Sequence, residues 1–190
     1  MTQDLDQDRA AALMGEIAHG DRRALADLIA LEGRGLTLLA RRYLGNPEEA
    51  EEVVQDVFLR VWRHAGRYDP ARAKVRTWLY RIAVNLCIDR QRKRALWRFV
   101  GLEEGAHEVP DHQPSAAETL AGRQRLAQVR DQIARLPNRQ RMALLLSAVA
   151  GLGTAEIAAA LGTSPGAAEQ LLVRARRTLR AATDGNGREP

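Results

Sequence analysis

Several residue types are scarce in this chain of 190 residues, and each scarcity excludes a class of protein. A single cysteine, Cys87, excludes an intramolecular disulfide and a cysteine-rich zinc module. No apolar run reaches the roughly 18 residues of a membrane-spanning helix, and the acidic start MTQDLDQDRA is unlike a signal peptide. We therefore expect a soluble, cytoplasmic protein with no direct membrane insertion. The apolar content of 45% is enough for folded cores.

Lysine and aromatic residues are also rare. Of the 29 basic residues only Lys74 and Lys93 are lysines, which leaves 27 arginines. Arginine suits bidentate contacts with phosphate, although a GC-rich genome would also favour its codons. All eight aromatic residues lie between positions 43 and 99.

The net charge of +5 conceals four blocks of alternating sign. Residues 46–57 contain five acids and no base, whereas residues 72–98 contain nine bases against one acid, a net charge of +8. Residues 99–120 again contain five acids and no base, and residues 123–180 contain ten arginines against three acids, a net charge of +7. Because a solvated face normally mixes both signs, the clustering predicts two basic surfaces separated by an acidic spacer.

Apolar residues recur at helical spacing, and no segment sustains the alternation of a strand. The spacing predicts helices over about 21–31, 36–44, 47–65, 77–97, 118–135, 138–149, 154–161 and 165–182. Gly45 is expected to end the second of these helices. Asn46 then precedes the third, and Pro47 is its first residue, as is common at the start of a helix.

The predicted fold class is all-α, with two small helical domains joined by a flexible acidic linker. Residues 100–117 contain two glycines, two prolines and no periodicity, as expected of a linker. The predicted boundaries are an N-terminal extension over 1–20, a first domain over 21–98, the linker over 99–119, a second domain over 120–183 and a disordered tail over 184–190.

The second domain has the pattern of a helix-turn-helix. Residues 154–161 form a short helix with Thr154 as its expected N-cap, and Gly162-Thr163 forms the turn. Ser164 then caps a second helix that starts at Pro165. This pattern is typical of DNA binding in the major groove, and a purely structural helical hairpin is the alternative.

The first turns of that second helix, residues 165–170, contain no Arg or Lys. Base reading would therefore fall to Glu169 and Gln170, which can pair with cytosine and adenine. Downstream arginines can reach flanking phosphates.

The basic helix over 77–97 offers a second nucleic-acid surface. Trp78, Arg81, Asn85 and Arg92 follow steps of three, four and seven residues and share one stripe, away from the apolar face. A ring for stacking, an amide for base edges and cations for phosphates together suit single-stranded DNA. Taken singly, Trp78 could be a core residue and Asn85 could satisfy a buried backbone group.

Three segments in each predicted domain carry a resemblance to a known family. Residues 47–62, PEEAEEVVQDVFLRVW, Tyr68-Asp-Pro70 and TWLYRIAVN over 77–85 with Asp89-Arg90 resemble the promoter-melting domain of sigma-70 factors. LPNRQR over 136–141, the helix-turn-helix and LVRARRTL over 172–179 resemble their other conserved domain. Two domains with a short linker are the arrangement of the extracytoplasmic-function subgroup.

The resemblance implies a role for each surface. The helix over 47–62 would bind core RNA polymerase. The basic helix and the loop before Trp78 would capture a flipped base of the −10 element. The helix-turn-helix would bind the −35 element of promoter DNA. The implied core-binding residues are Glu51, Glu52, Gln55, Asp56 and Leu59. The implied −10 residues are Asp69, Arg76, Trp78, Arg81, Asn85, Arg90, Arg92, Lys93 and Arg94. The implied −35 residues are Thr154, Ser164, Ala167, Glu169, Gln170, Arg174, Arg176 and Arg177. Family members are also commonly held inactive by an anti-sigma factor, which we expect here.

Two rival interpretations predict different behaviour. A conventional helix-turn-helix repressor or activator would bind DNA alone, but it leaves residues 48–62 without a role. An enzyme is disfavoured because the four histidines show no metal-ligand spacing with Cys87 and no phosphate-binding glycine loop is present. We expect no catalytic residue, metal, cofactor or small-molecule substrate, and we expect Cys87 to be a small core residue rather than a redox thiol.

Overall fold

The computed structural model describes residues 2–99 and 120–186, and every regular element within those ranges is helical. The eight α-helices are α1 Thr2–Ala18, α2 Arg22–Leu44, α3 Pro47–His64, α4 Val75–Phe99, α5 Leu120–Ala134, α6 Asn138–Ala148, α7 Thr154–Leu161 and α8 Pro165–Asn186, with a 3-10 turn at Ala65–Arg67. The all-α prediction is confirmed. None of the described helices combines the length and apolar character needed to cross a membrane.

Helix α2 is continuous, so the prediction of two helices over 21–31 and 36–44 is wrong. Gly33 and Gly35, which fall between the two predicted helices, lie inside α2. A Cβ atom at Gly35 would come within 2.5 Å of the Tyr80 hydroxyl oxygen. The glycine therefore lets α4 pack closely against the backbone of α2.

The turn between α2 and α3 forms as the sequence predicts. Gly45 ends α2 with φ of 71°, a left-handed conformation that favours glycine. The Asn46 side chain then accepts a hydrogen bond from the Glu49 amide at 3.1 Å, and Pro47 is the first residue of α3. The chain reverses here and brings α3 against α2.

Residues 2–18, predicted only as an extension, form helix α1. Ala10, Leu13, Met14 and Ile17 recur at helical spacing and are all buried where α1 meets the other helices. We call α1–α4 the first unit. The apolar spacing at 10, 13, 14 and 17 is the signal in the sequence that indicates this helix.

Helices α5–α8 form the second unit, in which α8 packs against α6 and α7. Its core contains Met142, Leu146, Ile157 and Leu172. The two units also touch, because α4 packs against α7 and α2 against α6, and one apolar cluster runs through both.

The predicted linker lies outside the described residues except for Phe99, which ends α4. The predicted disordered tail is wrong for residues 184–186, because α8 continues to Asn186. No proline interrupts the helix there, and a glycine in the last turn of a helix costs little because the end already frays. Residues 187–190 lie outside the described part.

Candidate nucleic-acid interface

One face of α4 is buried and the opposite face is open to solvent. Leu79, Ala83 and Leu86 point into the core, whereas Arg81 and Asn85 are exposed. Arg92 and Lys93 continue the exposed face toward the end of the helix, and Arg94 is half-buried. Because its side chain is exposed, Asn85 does not serve a buried backbone group.

Trp78 lies at the start of this stripe and is half-buried. Its ring packs against Tyr68, with 5.8 Å between the ring centroids and 59° between the planes. The Tyr68 hydroxyl donates to the Ala73 carbonyl at 3.0 Å, and the Asp69 carboxylate accepts from the Ala71 amide at 2.9 Å. The loop before α4 is thus held by its own residues, and Trp78 both packs and borders the exposed stripe.

Arg76 lies off the stripe. Its Nη2 atom donates to the carbonyl oxygen of Ala150 at 2.9 Å, and its Nε atom is 3.9 Å from the carboxylate of Glu32. Its guanidinium is also 5.7 Å from the centroid of the Tyr80 ring. Burial raises the pKa of Glu32, and the nearby Arg76 partly offsets this. Arg76 thus contacts the second unit, and in this form it does not face solvent with Arg81.

The predicted polymerase-binding residues share one face of α3. Glu51, Glu52, Gln55 and Leu59 are exposed, and Asp56 is half-buried. Trp62 packs against the apolar cluster, as expected of a core residue. This face therefore combines acidic groups with one exposed apolar side chain.

Three carboxylates on this face have partners within the first unit. Glu51 pairs with Arg41 at 2.9 Å. Arg90 is hydrogen-bonded to Glu52, and its Nη2 atom is 3.8 Å from Asp56. Arg90, predicted to contact DNA phosphate, therefore lies against α3 in this form.

The helix-turn-helix forms at the predicted residues. Gly162 makes the turn with φ of 61°, and the Ser164 hydroxyl accepts from the Ala167 amide at 3.2 Å. The prediction of Thr154 as an N-cap is wrong. Gly153 occupies that position, and its amide donates to the Glu156 carboxylate at 3.0 Å, because an acidic side chain at the third helical position can reach back to it.

The exposed side of this motif carries the predicted −35 residues. Thr154, Ser164, Glu169, Gln170, Arg174, Arg176 and Arg177 are exposed, and Ala167 is half-buried. A groove beside α8 is lined by Arg139, Thr163, Ala167, Gln170, Leu171 and Arg174. Arg139 and Thr163 were not predicted, although Thr163 lies in the turn. Arg139 carries no signal in the sequence, because its contact with the Leu161 carbonyl depends on how α6 and α7 pack.

Arg141 is a buried cation that sequence reasoning did not single out. It shares the face of α6 with Met142, Leu145 and Leu146, so an arginine within an apolar stripe was the available signal. Its hydrogen-bond partners belong to both units.

Cys87 is buried, and burial raises the pKa of its thiol to about 12. The prediction of a core residue is confirmed, because a buried thiol without a lowered pKa is a poor redox sensor. The described helices and turns contain no group of three or more His, Cys, Asp or Glu side chains suited to a metal ion. His107 and His112 lie outside the described residues.

Comparison with known proteins covers both units. Residues 28–96 match the family described as Sigma-70 region 2, and residues 126–179 match Sigma-70 region 4. The RNA polymerase sigma factor CnrH of Cupriavidus metallidurans is 34% identical over 95% of this chain and 97% of its own. The ECF sigma factor SigM of Mycobacterium tuberculosis is 33% identical over 89% of this chain and 82% of its own.

A solved structure of CnrH in complex with the cytosolic domain of CnrY has a TM-score of 0.69 and 30% sequence identity. It covers 94% of this chain and 99% of that one. Such factors start transcription and are not enzymes. With both conserved regions matched in order and a relative that is 34% identical over nearly its whole length, the chain belongs to the sigma-70 family as an extracytoplasmic-function sigma factor.

Proposed function

We propose that the three exposed surfaces divide the work of promoter opening. The acidic face of α3 binds core RNA polymerase, the exposed stripe of α4 captures the displaced strand of the −10 element, and the face around α8 binds the −35 duplex. The observation that carries the proposal is the exposure of Arg81 and Asn85 on the side of α4 away from its core face. An ordinary solvated helix face mixes charges of both signs, whereas residues 72–98 carry nine bases against one acid.

The chemistry of each surface suits its target. Unstacked bases offer hydrogen-bonding edges to the Asn85 amide and charged phosphates to Arg81 and Arg92. The exposed arginines of α8 suit a duplex, whose phosphates they can contact without reading sequence. The α3 face offers acidic groups and Leu59, which suits a basic protein surface with an apolar contact at its centre.

Transcription in vitro with core polymerase tests the strand-capture step. We expect Asn85→Ala to reduce permanganate reactivity of thymines in the −10 region by about tenfold, because each lost base contact is worth about 1–3 kcal/mol. Binding to core polymerase, measured by fluorescence anisotropy, should not change. Gln128→Ala is the matched control, since it removes another exposed amide, on α5.

Two results would contradict the assignment. Full opening by Asn85→Ala would remove this residue from the strand-binding surface. Strong, specific promoter binding by the chain without core polymerase would instead favour a conventional helix-turn-helix regulator. A gel-shift assay with and without core polymerase separates the two interpretations.

For the polymerase contact, Leu59→Ala is compared with Leu38→Ala. The two side chains are 49% and 40% exposed, so both variants remove similar surface at little cost to folding. Only Leu59→Ala should weaken binding to core polymerase, and equal weakening would move the docking site away from α3.

We further propose that an anti-sigma factor holds this protein inactive. The support is the relative CnrH, whose solved complex with the cytosolic domain of CnrY matches nearly the whole of this chain. Co-purification from the native cell tests this, and recovery with polymerase alone in unstimulated cells would count against it.

A further inference from the structure

Two basic side chains from residues 72–98 contact the second unit. The Arg76 Nη2 atom donates to the carbonyl oxygen of Ala150, at 2.9 Å, in the segment between α6 and α7. The Lys74 ammonium is 3.7 Å from the carboxylate of Glu156, in the first turn of α7. The loop that precedes α4 is therefore held against the first helix of the helix-turn-helix.

A third basic side chain belongs to the second unit and contacts the first. Arg141 of α6 donates through Nη2 to the Gln91 side-chain oxygen of α4 at 2.9 Å. Its guanidinium also lies 4.5 Å from the centroid of the Tyr43 ring in α2. Because Arg141 also donates to the Ala134 carbonyl at 3.2 Å, it stays attached to the second unit while it contacts the first.

These contacts are of a kind that can open. Lys74 is 60% exposed and Glu156 is 32% exposed, so solvent screens their ion pair and it contributes little to stability. Hydrogen bonds also cross between the units from Arg76 to Ala150 and from Arg141 to Gln91, beside the α4–α7 packing. A partner that binds only the separated units can shift such an equilibrium by its difference in affinity.

We infer that Lys74, Arg76 and Arg141 form an intramolecular latch that closes the second unit over the start of α4. Arg76, which the family resemblance assigns to the −10 element, cannot use the same Nη2 atom for the Ala150 carbonyl and for a DNA phosphate at once. Closure and promoter binding therefore compete. The competition rests on the proposed function, but the latch itself does not.

Zero-length cross-linking tests closure directly, since Lys74 is one of only two lysines in the chain. A water-soluble carbodiimide activates the Glu156 carboxyl, the Lys74 amine attacks it, and an amide forms as the carbodiimide leaves as a urea. We expect mass spectrometry of the dilute, full-length chain to find the Lys74–Glu156 peptide. Lys74→Arg and Glu156→Gln should each abolish it.

Gln91 provides a matched pair of variants that leave both ends of the cross-link unchanged. Gln91→Glu places a carboxylate beside Arg141 and should raise the yield of the cross-link. Gln91→Arg places a like charge there and should lower it by about threefold, the effect of a fraction of a kcal/mol on an equilibrium. Circular dichroism checks that both variants keep their helices.

The latch is overturned if Glu156 reacts with added glycine ethyl ester, which shows that it is activated, yet forms no amide with Lys74. It is also overturned if the Gln91 variants give equal yields. In a complex with core polymerase and promoter DNA the cross-link should fall at least threefold, and an unchanged yield would overturn the competition. A chain that cross-links as expected but supports no transcription refutes the proposed function and leaves the latch intact.

Discussion

The first unit contains all eight aromatic residues of the chain, whereas the second contains none. Each buried ring removes 150–250 Å² from solvent, so Tyr43, Phe58 and Tyr80 give α1–α4 a broad core. The core of α5–α8 is built from smaller aliphatic side chains such as Ile157 and Leu172. The comparison indicates that each core residue matters more in the second unit, and that this unit relies more on its contacts with its neighbour.

The uneven distribution of aromatic residues allows the unfolding of the first unit to be followed separately. All three tryptophans lie in the first unit, so their fluorescence reports its unfolding alone, while far-UV circular dichroism reports both. We expect Ile157→Ala to cost about 3 kcal/mol, because the side chain is fully buried and leaves a cavity. In urea, the dichroism midpoint should fall strongly and the fluorescence midpoint should fall less.

Val57→Ala is the matched control, since Val57 is an equally buried aliphatic residue of α3. It should lower the fluorescence midpoint at least as much as the dichroism midpoint. If Ile157→Ala lowers both midpoints by the same amount, the two units unfold as one and the comparison between them fails.

Local signals predicted the ends of helices well and long-range packing poorly. Gly45-Asn46-Pro47 and Gly162-Thr163-Ser164 act through the adjacent backbone, so their turns could be identified from the sequence. The continuity of α2 through Gly35 could not be identified in this way, because the side chain that this glycine accommodates is Tyr80, 45 residues further along the chain.

The same limit applies to the site. Helical spacing correctly separated exposed Arg81 and Asn85 from the core face of α4. It could not show that Arg76 reaches Ala150, or that Arg90 lies on α3, because those contacts depend on where other helices pack. A count of charges also gives no sign of which cations are already engaged by the protein itself.

Gly35 tests whether ring packing fixes the first unit. We expect Gly35→Ala to destabilise it by about 2 kcal/mol, since the new methyl group would overlap the buried Tyr80 hydroxyl and force the ring or the helix to move. Urea unfolding followed by tryptophan fluorescence measures the change.

Gly33→Ala is the matched control in the same helix. Its Cβ would lie 3.5 Å from Ile29 and 3.9 Å from Phe58, which are ordinary contacts, and alanine favours a helix over glycine. This variant should be neutral or stabilising. Equal destabilisation by both would mean that α2 needs flexibility at this point rather than close approach to α4.

The smallest expected effect concerns Glu32, the buried carboxyl group of α2 that lies 3.9 Å from Arg76 of α4. Burial raises its pKa above the ordinary value of 4.5, so the folded state binds its proton more tightly than the unfolded state does. Its contribution to the free energy of unfolding is therefore present below pH 4.5 and is lost as the pH rises through the folded pKa. Glu32→Gln removes this dependence, so the variant should gain stability relative to the natural chain between pH 4.5 and 7.

Urea midpoints from tryptophan fluorescence, compared across that pH range, measure the difference. Glu16→Gln is the control for loss of one negative charge, because Glu16 is exposed on α1. If Glu32→Gln instead becomes less stable relative to the natural chain as the pH rises, attraction to Arg76 outweighs the cost of burying the carboxylate. The pair would then stabilise the first unit and hold Arg76 in the orientation from which it reaches Ala150 of the second.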